Sequence, residues 1–168
     1  LELCKGKTLD VGCGAGSHAW FLQQKHVDVT AIDTSPKAIE TCLARGIKKA
    51  TAVDFFDLKN QQFNTLLLLM NGIGIVGKLE KIHFFFDQVK TLLKPDGQVL
   101  LDSSDLIYLY EGQEEEAKNS PFYYGEMQYE IRYKNFESDA FNWLYIDYNS
   151  LAFFAELHGF QIEKLLDG

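Results

Sequence analysis

Thr8-Leu-Asp-Val-Gly-Cys-Gly-Ala-Gly-Ser-His18 is the stretch on which the reading of this chain turns. Thr8 to Val11 has the character of a buried strand, and Ala19, Trp20, Leu22 and Gln23 continue beyond it as a short helix. Between them Gly12, Gly14 and Gly16 recur at every second position. Glycine lacks a Cβ, so such a turn can take left-handed dihedrals and let a ligand approach the main chain. A helix beginning there offers unpaired N–H groups and a positive dipole end, which suit a carboxylate or a phosphate. Taken alone, the turn does not separate a nucleotide loop from an ordinary tight turn.

The downstream pattern decides the fold class. Val29-Thr-Ala-Ile32 reads as a second buried strand ending at Asp33. Ser35-Pro36 is a helix start, with Ser35 as N-cap and Pro36 in the first helical position. Ala38, Ile39, Cys42 and Leu43 form that helix's apolar face, and Gly46 stops it. Ile47 to Val53 is a third strand, followed by Asp54. Phe63 to Met70 is apolar without polar alternation at its centre, as expected of a central parallel strand covered on both faces. Leu79 to Leu93 carries a helical stripe, Lys94-Pro-Asp-Gly97 breaks it, and Gln98 to Asp102 is a fifth strand. Alternating strands and helices imply right-handed βαβ units, hence an α/β, mainly parallel sheet. After Asp102 the pattern changes. Glu126 to Lys134 and Phe141 to Asp147 read as an antiparallel hairpin, Asn149 or Ser150 caps a last helix, and Phe160 to Leu166 reads as a final strand.

At 168 residues the chain has the length of one compact domain, taken as 1–168 with 104–148 as an inserted region. The formal net charge of −8 argues against a nucleic-acid partner, which would need clustered Lys and Arg. No apolar run reaches the roughly 20 residues of a membrane span, so no membrane partner is expected. Cys4, Cys13 and Cys42 are too few and scattered for a disulfide framework or a zinc site, and they fit a reducing cytoplasm. Cys13 reads as a small side chain that packs well inside the turn.

In an open parallel sheet, ligands bind outside the carboxyl ends of the strands. The glycine turn, Asp33, Asp54 and Asn71 all fall at such ends. A carboxylate about 20 residues after the turn can accept both ribose hydroxyls of an adenosine. Asp54 could meet an adenine amino group, the Phe55 N–H a ring nitrogen, and a phenyl ring there would cover the base. A dinucleotide fingerprint would want glycine at 17, where the chain has Ser17. The spacing is instead D-x-G-x-G-x-G, and Asp10 would repel a pyrophosphate but favour a ligand ammonium. That points away from NAD and toward a zwitterionic ligand.

Asp10-Val-Gly-Cys-Gly-Ala-Gly16, Ala31-Ile-Asp-Thr-Ser35, the Val53-Asp54-Phe55 run and Leu92-Leu-Lys-Pro-Asp-Gly97 resemble, in order, the motifs of class I S-adenosylmethionine-dependent methyltransferases. The resemblance covers residues 7–103. It implies a Rossmann-like doubly wound sheet of order 3-2-1-4-5-7-6, with strand 7 antiparallel. Here Phe160 to Leu166 would be strand 6, strand 7 is missing, and a slot is expected beside strand 5. The helix usually ahead of the glycine strand is also missing, so further residues are expected at both ends. The resemblance further implies S-adenosyl-L-methionine as cofactor and S-adenosyl-L-homocysteine as product. Asp10, Gly12, Cys13, Gly14 and Gly16 would form the methionine loop, Asp33 and Thr34 would take the ribose side, and Asp54 and Phe55 the adenine. Asn71 would lie beside the methyl group. A weaker similarity, in Tyr123-Tyr-Gly-Glu126, Phe141-Asn-Trp-Leu-Tyr145 and Gly159-Phe160, is to a subgroup of bacterial methyltransferases.

Methyl transfer from a sulfonium relies on positioning and desolvation, so no catalytic acid or base is assigned. Asn71-Gly-Ile-Gly departs from the signature of amino-methylating DNA and protein enzymes, which with the acidic charge argues against DNA methylation; the expected acceptor is an unidentified molecule, a small one first. Ser103, Tyr108, Tyr123, Tyr124, Arg132 and Trp143 are the candidate acceptor-side residues, although for any single aromatic among them packing of the hairpin onto the sheet is the favoured reading. His83 reads as a surface or core histidine, and His18 stands near enough to the turn to approach a cofactor. Two other readings stay open at this point: a non-catalytic nucleoside-binding domain, and a nicotinamide-dependent oxidoreductase.

Overall fold

The computed structural model describes residues 1–166, apart from the Phe136 side chain. Two compact units are present: residues 1–72 with 88–102, and residues 73–87 with 103–166.

The first unit is a five-stranded, wholly parallel sheet of order β3-β2-β1-β4-β5. Its strands are β1 (Thr8–Val11), β2 (Val29–Asp33), β3 (Ala50–Ala52), β4 (Phe63–Leu68) and β5 (Leu93–Leu101). The strand order reverses at β1, where β2 lies on one side and β4 on the other, so loops leaving their carboxyl ends diverge around one crevice. Leu66, Leu67 and Leu68 in β4 are all essentially inaccessible. Successive side chains point to opposite faces, so both faces of this strand are covered, as its uninterrupted apolar run predicts. On one face Leu67, Val29 and Ala31 pack with Ala19 and Leu22 of α1 (Ser17–Gln24) and Ile39 and Cys42 of α2 (Pro36–Ala44). Ser35 caps α2, its Oγ accepting the Ala38 N–H at 3.3 Å, with Pro36 in the first turn. Thr65, polar but buried, is satisfied by accepting the Lys5 N–H and donating to the Lys5 carbonyl.

The Lys94–Gly97 break is handled within the ladder rather than before it. Phe63 pairs with Leu93 and Thr65 with Gln98, so the intervening residues bulge out, with Asp96 at φ +59°. β5 therefore starts at Leu93, directly after α3 (Ile82–Leu92), five residues earlier than the sequence predicts.

The second unit holds α4 (Glu114–Lys118) and two antiparallel pairs. β6 (Glu126–Tyr129) pairs with β9 (Phe141–Leu144), and between them β7 (Arg132–Tyr133) pairs with β8 (Phe136–Glu137) around Lys134 at φ +52°. The expected hairpin is present, with a smaller hairpin in what reads as its loop. α5 (Tyr148–Leu157) starts two or three residues earlier than predicted, because Asp147 caps it by accepting the Ser150 N–H at 3.0 Å. Phe160 to Leu166 is not a strand. Phe160 turns onto Phe86, ring centroids 5.7 Å apart, while Leu165 and Leu166 are exposed. The segment has the alternation of a strand but no ladder partner, and alternation without a partner leaves the backbone unpaired.

Leu66 sits at the centre of β4, and truncating it opens a cavity that a two-sided strand cannot close. Leu66→Ala should cost about 2–5 kcal/mol, measured by chemical denaturation; a loss below about 1 kcal/mol would show that this face is loosely packed.

Candidate cofactor site

β1 delivers the chain into a turn in which Gly12, Gly14 and Gly16 all have positive φ (+66°, +54° and +76°). The three are not equivalent. A Cβ built on Gly12 or Gly14 meets nothing within 4 Å, whereas one on Gly16 would strike Ile47 and Cys42. Gly16 is thus required by close packing at the start of α1, while Gly12 and Gly14 leave bare backbone facing open space.

Asp33, at the end of β2, holds this turn in shape. One of its oxygens accepts the Gly14 N–H at 2.9 Å and the other the Ser35 N–H at 2.8 Å. An ionised carboxylate has about four acceptor positions, so capacity remains on both oxygens. Other groups brace the turn from behind. Cys42 donates its S–H to the Gly14 carbonyl at 3.2 Å, and Arg45 donates to the Ala15 carbonyl at 2.6 Å. Cys13 is buried with its sulfur 3.8 Å from that of Cys42, and burial pushes its thiol far above the ordinary range, which suits a packing role.

Asp10 is the buried charge of the site, 1 % exposed in the middle of the sheet. Its Oδ2 accepts the Ala19 N–H at 3.0 Å, one of the donors the first turn of α1 leaves unpaired. Burial pushes its carboxyl up to about 7; the Ala19 hydrogen bond opposes that rise and nearby Asp33 adds to it.

The remaining strand ends lie along the same edge of this parallel sheet. Thr34 is exposed beside Asp33. Asp54 is exposed and accepts the Phe56 N–H at 2.8 Å, capping a short 3-10 turn. The Phe55 ring, expected to lie over a base, is instead 3 % exposed in the core, with Gln88 donating to its carbonyl. A ring following Asp54 packs inward because the 3-10 turn rotates it there; Phe56, in edge contact at 5.3 Å, is the half-buried one. Met70 and Asn71 follow β4 with φ near +60°, and their N–H groups donate to Asp102 at 3.2 and 2.7 Å. Asp102 is therefore the organiser of the Asn71 corner, a role that its place at the end of the fifth strand could have suggested.

In the second unit the acceptor-side candidates separate. Ser103 is a latch: its hydroxyl donates to the Ile146 carbonyl and accepts the Ile146 N–H. Trp143 lies flat against Gly74, where a Cβ would collide with its indole. Arg132 pairs with Glu130 and Glu137 on the small hairpin. Tyr108 is largely exposed. Of these candidates only Tyr123 and Tyr124 are brought together, and with them two carboxylates: Asp105, at the start of the acceptor-side region, and Asp147, which the sequence does not single out. Tyr123 donates to Asp147 at 2.7 Å and Tyr124 to Asp105 at 2.9 Å. His83 is engaged with His158, Nδ1 to Nε2 at 2.8 Å, and His18 is half-buried on α1.

A doubly wound parallel sheet with a D-x-G-x-G-x-G turn and an acid at the end of β2 defines a nucleoside-cofactor fold. The family model of the methyltransferase domain matches residues 9–99. The chain belongs to the class I S-adenosylmethionine-dependent methyltransferases. It is 44% identical to an S-adenosylmethionine-dependent methyltransferase of Bacteroides fragilis solved with S-adenosyl-L-homocysteine, with a TM-score of 0.90 over 99% of this chain and 69% of that one. It is 27% identical over 110 residues to a ubiquinone biosynthesis O-methyltransferase of Xanthomonas oryzae, covering 61% of this chain and 45% of that protein. A methyltransferase of Methanosarcina mazei, 18% identical with a TM-score of 0.72 over 94% of this chain and 81% of its own, shares the fold. The chain spans less than half the length of the curated relatives it matches.

Asp10 makes stability depend on pH. Its folded-state pKa is raised, so its contribution is fully present below about pH 4 and is lost as pH rises toward 7. The slope is at most about 1.4 kcal/mol per pH unit. Asp10→Asn keeps an acceptor for Ala19 without the charge, so it should gain stability over the parent at pH 8 and not at pH 4.5. Denaturant midpoints at the two pH values measure this; a difference independent of pH would contradict it.

Proposed function

We propose that the chain binds S-adenosyl-L-methionine at the carboxyl edge of the parallel sheet and transfers its methyl group to a small-molecule acceptor. Membership of the family and the bound product in the Bacteroides fragilis relative support the cofactor. The observation that carries the reading is the Asp33 bridge: a carboxylate at the end of β2 shapes a glycine turn whose Gly12 and Gly14 backbone faces open space.

When bound, the cofactor supplies an electrophilic sulfonium methyl group. The residues of the chain bind and orient it. Bare backbone at Gly12 and Gly14 admits close approach, and the first turn of α1 adds a positive dipole end for a carboxylate. Asp10 is the charge partner for the ammonium of the methionine part. A cation brought near it favours the ionised form, so binding between pH 6 and 7 should release a proton. Asp33 accepts the ribose hydroxyls through its remaining acceptor positions, with Thr34 beside it. Asp54 and the backbone of Phe55 take the adenine, and Phe56 is better placed than Phe55 to offer a ring. Asn71 lies toward the methyl end. Cys13 contributes packing. Ser17 in place of a third fingerprint glycine and the acid at 10 both disfavour a dinucleotide.

The small-molecule class of the acceptor and a cytoplasmic, bacterial-type setting rest on the charge balance and on the bacterial relatives. Among the described residues no helix is long and apolar enough to cross a membrane.

Isothermal titration should give binding of S-adenosyl-L-methionine and S-adenosyl-L-homocysteine, and none of NADH. Asp33→Ala should weaken the two adenosyl ligands at least tenfold, since it removes the ribose acceptor and frees the Gly14 N–H. Undiminished affinity would remove the ribose assignment, and binding of NADH alone would overturn the proposed function. A metabolite screen reading a mass gain of one methyl identifies the acceptor.

A further inference from the structure

An open cleft of about 550 Å³ lies on the second unit, with Asp105, Lys118 and Phe122 of its lining exposed. Phe122, Tyr123 and Tyr124 supply aromatic surface, and Leu79 and Ile107 supply aliphatic surface. Asp105 and Asp147 are its two anions, and Lys118 is the one cation among its described lining residues.

The two carboxylates are held rather than neutralised. Asp105 Oδ1 accepts both the Ile107 N–H and the Tyr124 hydroxyl, each at 2.9 Å, and its Oδ2 has no hydrogen bond among the described residues. Asp147 accepts from Tyr123 and Ser150, and its own N–H donates to the Tyr123 oxygen at 2.9 Å, so the phenol is fixed at both ends. Burial would raise the Asp147 carboxyl, but these hydrogen bonds outweigh it and hold it below the usual range, so it is an anion at neutral pH. Burial first, then contact with its neighbours, pushes the Tyr123 phenol up to about 12, so it remains a donor. Neither carboxylate has an ion-pair partner among the described residues.

The charge of the whole chain points the same way. On the sequence, the second unit carries 14 acidic and 6 basic residues, whereas the first carries 9 and 10. The excess negative charge thus resides entirely in the unit with the cleft, where it raises the local concentration of cations. No group of three or more metal-ligating side chains exists among the described residues, which argues for an organic cation over a metal ion. Aromatic faces attract such a cation as well.

We propose that this cleft binds a small organic amine in its protonated form, with the ammonium between Asp105 and Asp147 and an apolar or aromatic body against Phe122, Tyr123 and Tyr124. An anionic ligand would face two carboxylates, and a neutral one would leave them uncompensated.

Three probes with one phenyl body test it: phenethylamine, phenethyl alcohol and 3-phenylpropanoate, titrated into the full chain with binding read by NMR shifts at Tyr123 and Tyr124. Phenethylamine should bind at least tenfold tighter than the alcohol, and the propanoate should not bind. Added salt should weaken the amine. Asp105→Asn and Asp147→Asn should each weaken it at least threefold; asparagine still caps a helix, and a thermal midpoint confirms the fold. Equal binding of amine and alcohol, no binding of the amine, or shifts only outside the cleft would overturn the inference. S-adenosyl-L-homocysteine, titrated in parallel, keeps the two readings apart. If it binds while the amine does not, only the amine site fails. If the amine binds and S-adenosyl-L-homocysteine does not, the amine site stands and methyl transfer falls.

Discussion

One carboxylate sets the geometry of the first unit. Asp33 is the last residue of β2, and the pairing of β2 with β1 fixes where it stands relative to the glycine turn. By accepting from Gly14 on one side and Ser35 on the other, it joins the turn before α1 to the N-cap of α2. Both helices therefore start from positions defined by the same side chain. A turn with three left-handed residues would otherwise sample many conformations, and ordering it would oppose any binding energy. With the bridge formed, much of that ordering is complete before a ligand arrives. The groups that shape the loop are also those with acceptor capacity left to hold a nucleoside.

Asp10 shows what the same loop costs. Holding a carboxylate in the middle of a sheet is unfavourable, and the rise of its pKa to about 7 is the measure of that. A single amide donor from Ala19 does not offset the loss of water. Such a residue is poorly explained by stability, since an asparagine would accept the same bond. A cation would offset that charge, and on the proposed function the ammonium of the cofactor's methionine part is that cation.

Most of the sheet was legible because its signals are local. A β-branched run, a Ser-Pro cap and an uninterrupted apolar stretch in Phe63 to Met70 each report directly on their own element. The strand-end acids Asp33 and Asp54 could be picked out because parallel topology sends all such ends to one edge. What escaped depends on partners distant in sequence. Phe160 to Leu166 alternates like a strand, yet whether it becomes one depends on a neighbour that the pattern does not encode. Asp147 reads as the end of a hairpin, whereas its side chain caps α5 and holds Tyr123. The direction of the Phe55 ring follows from a 3-10 turn closed by Asp54, three residues whose handedness no periodicity announces.

Net charge, read over the whole chain, also hid a division. A value of −8 suggests a uniformly acidic protein, but the sheet unit is close to neutral and the second unit holds the excess. That partition suits two different recognition problems. A zwitterionic nucleoside is best met by individually placed charges of both kinds: one acid for the ammonium, a helix N-terminus for the carboxylate and an acid for the ribose. A small cation is best met by a field of one sign with aromatic surface beneath it. In the second unit Tyr123 and Tyr124 turn two aspartates into fixed acceptors, and among the described residues neither aspartate forms an ion pair. Tyr123 and Tyr124 fix the two carboxylates as anions in place, beside three aromatic rings and in the unit that carries the excess negative charge. That combination of fixed charge and aromatic surface is the physical ground for reading the cleft as a cation site.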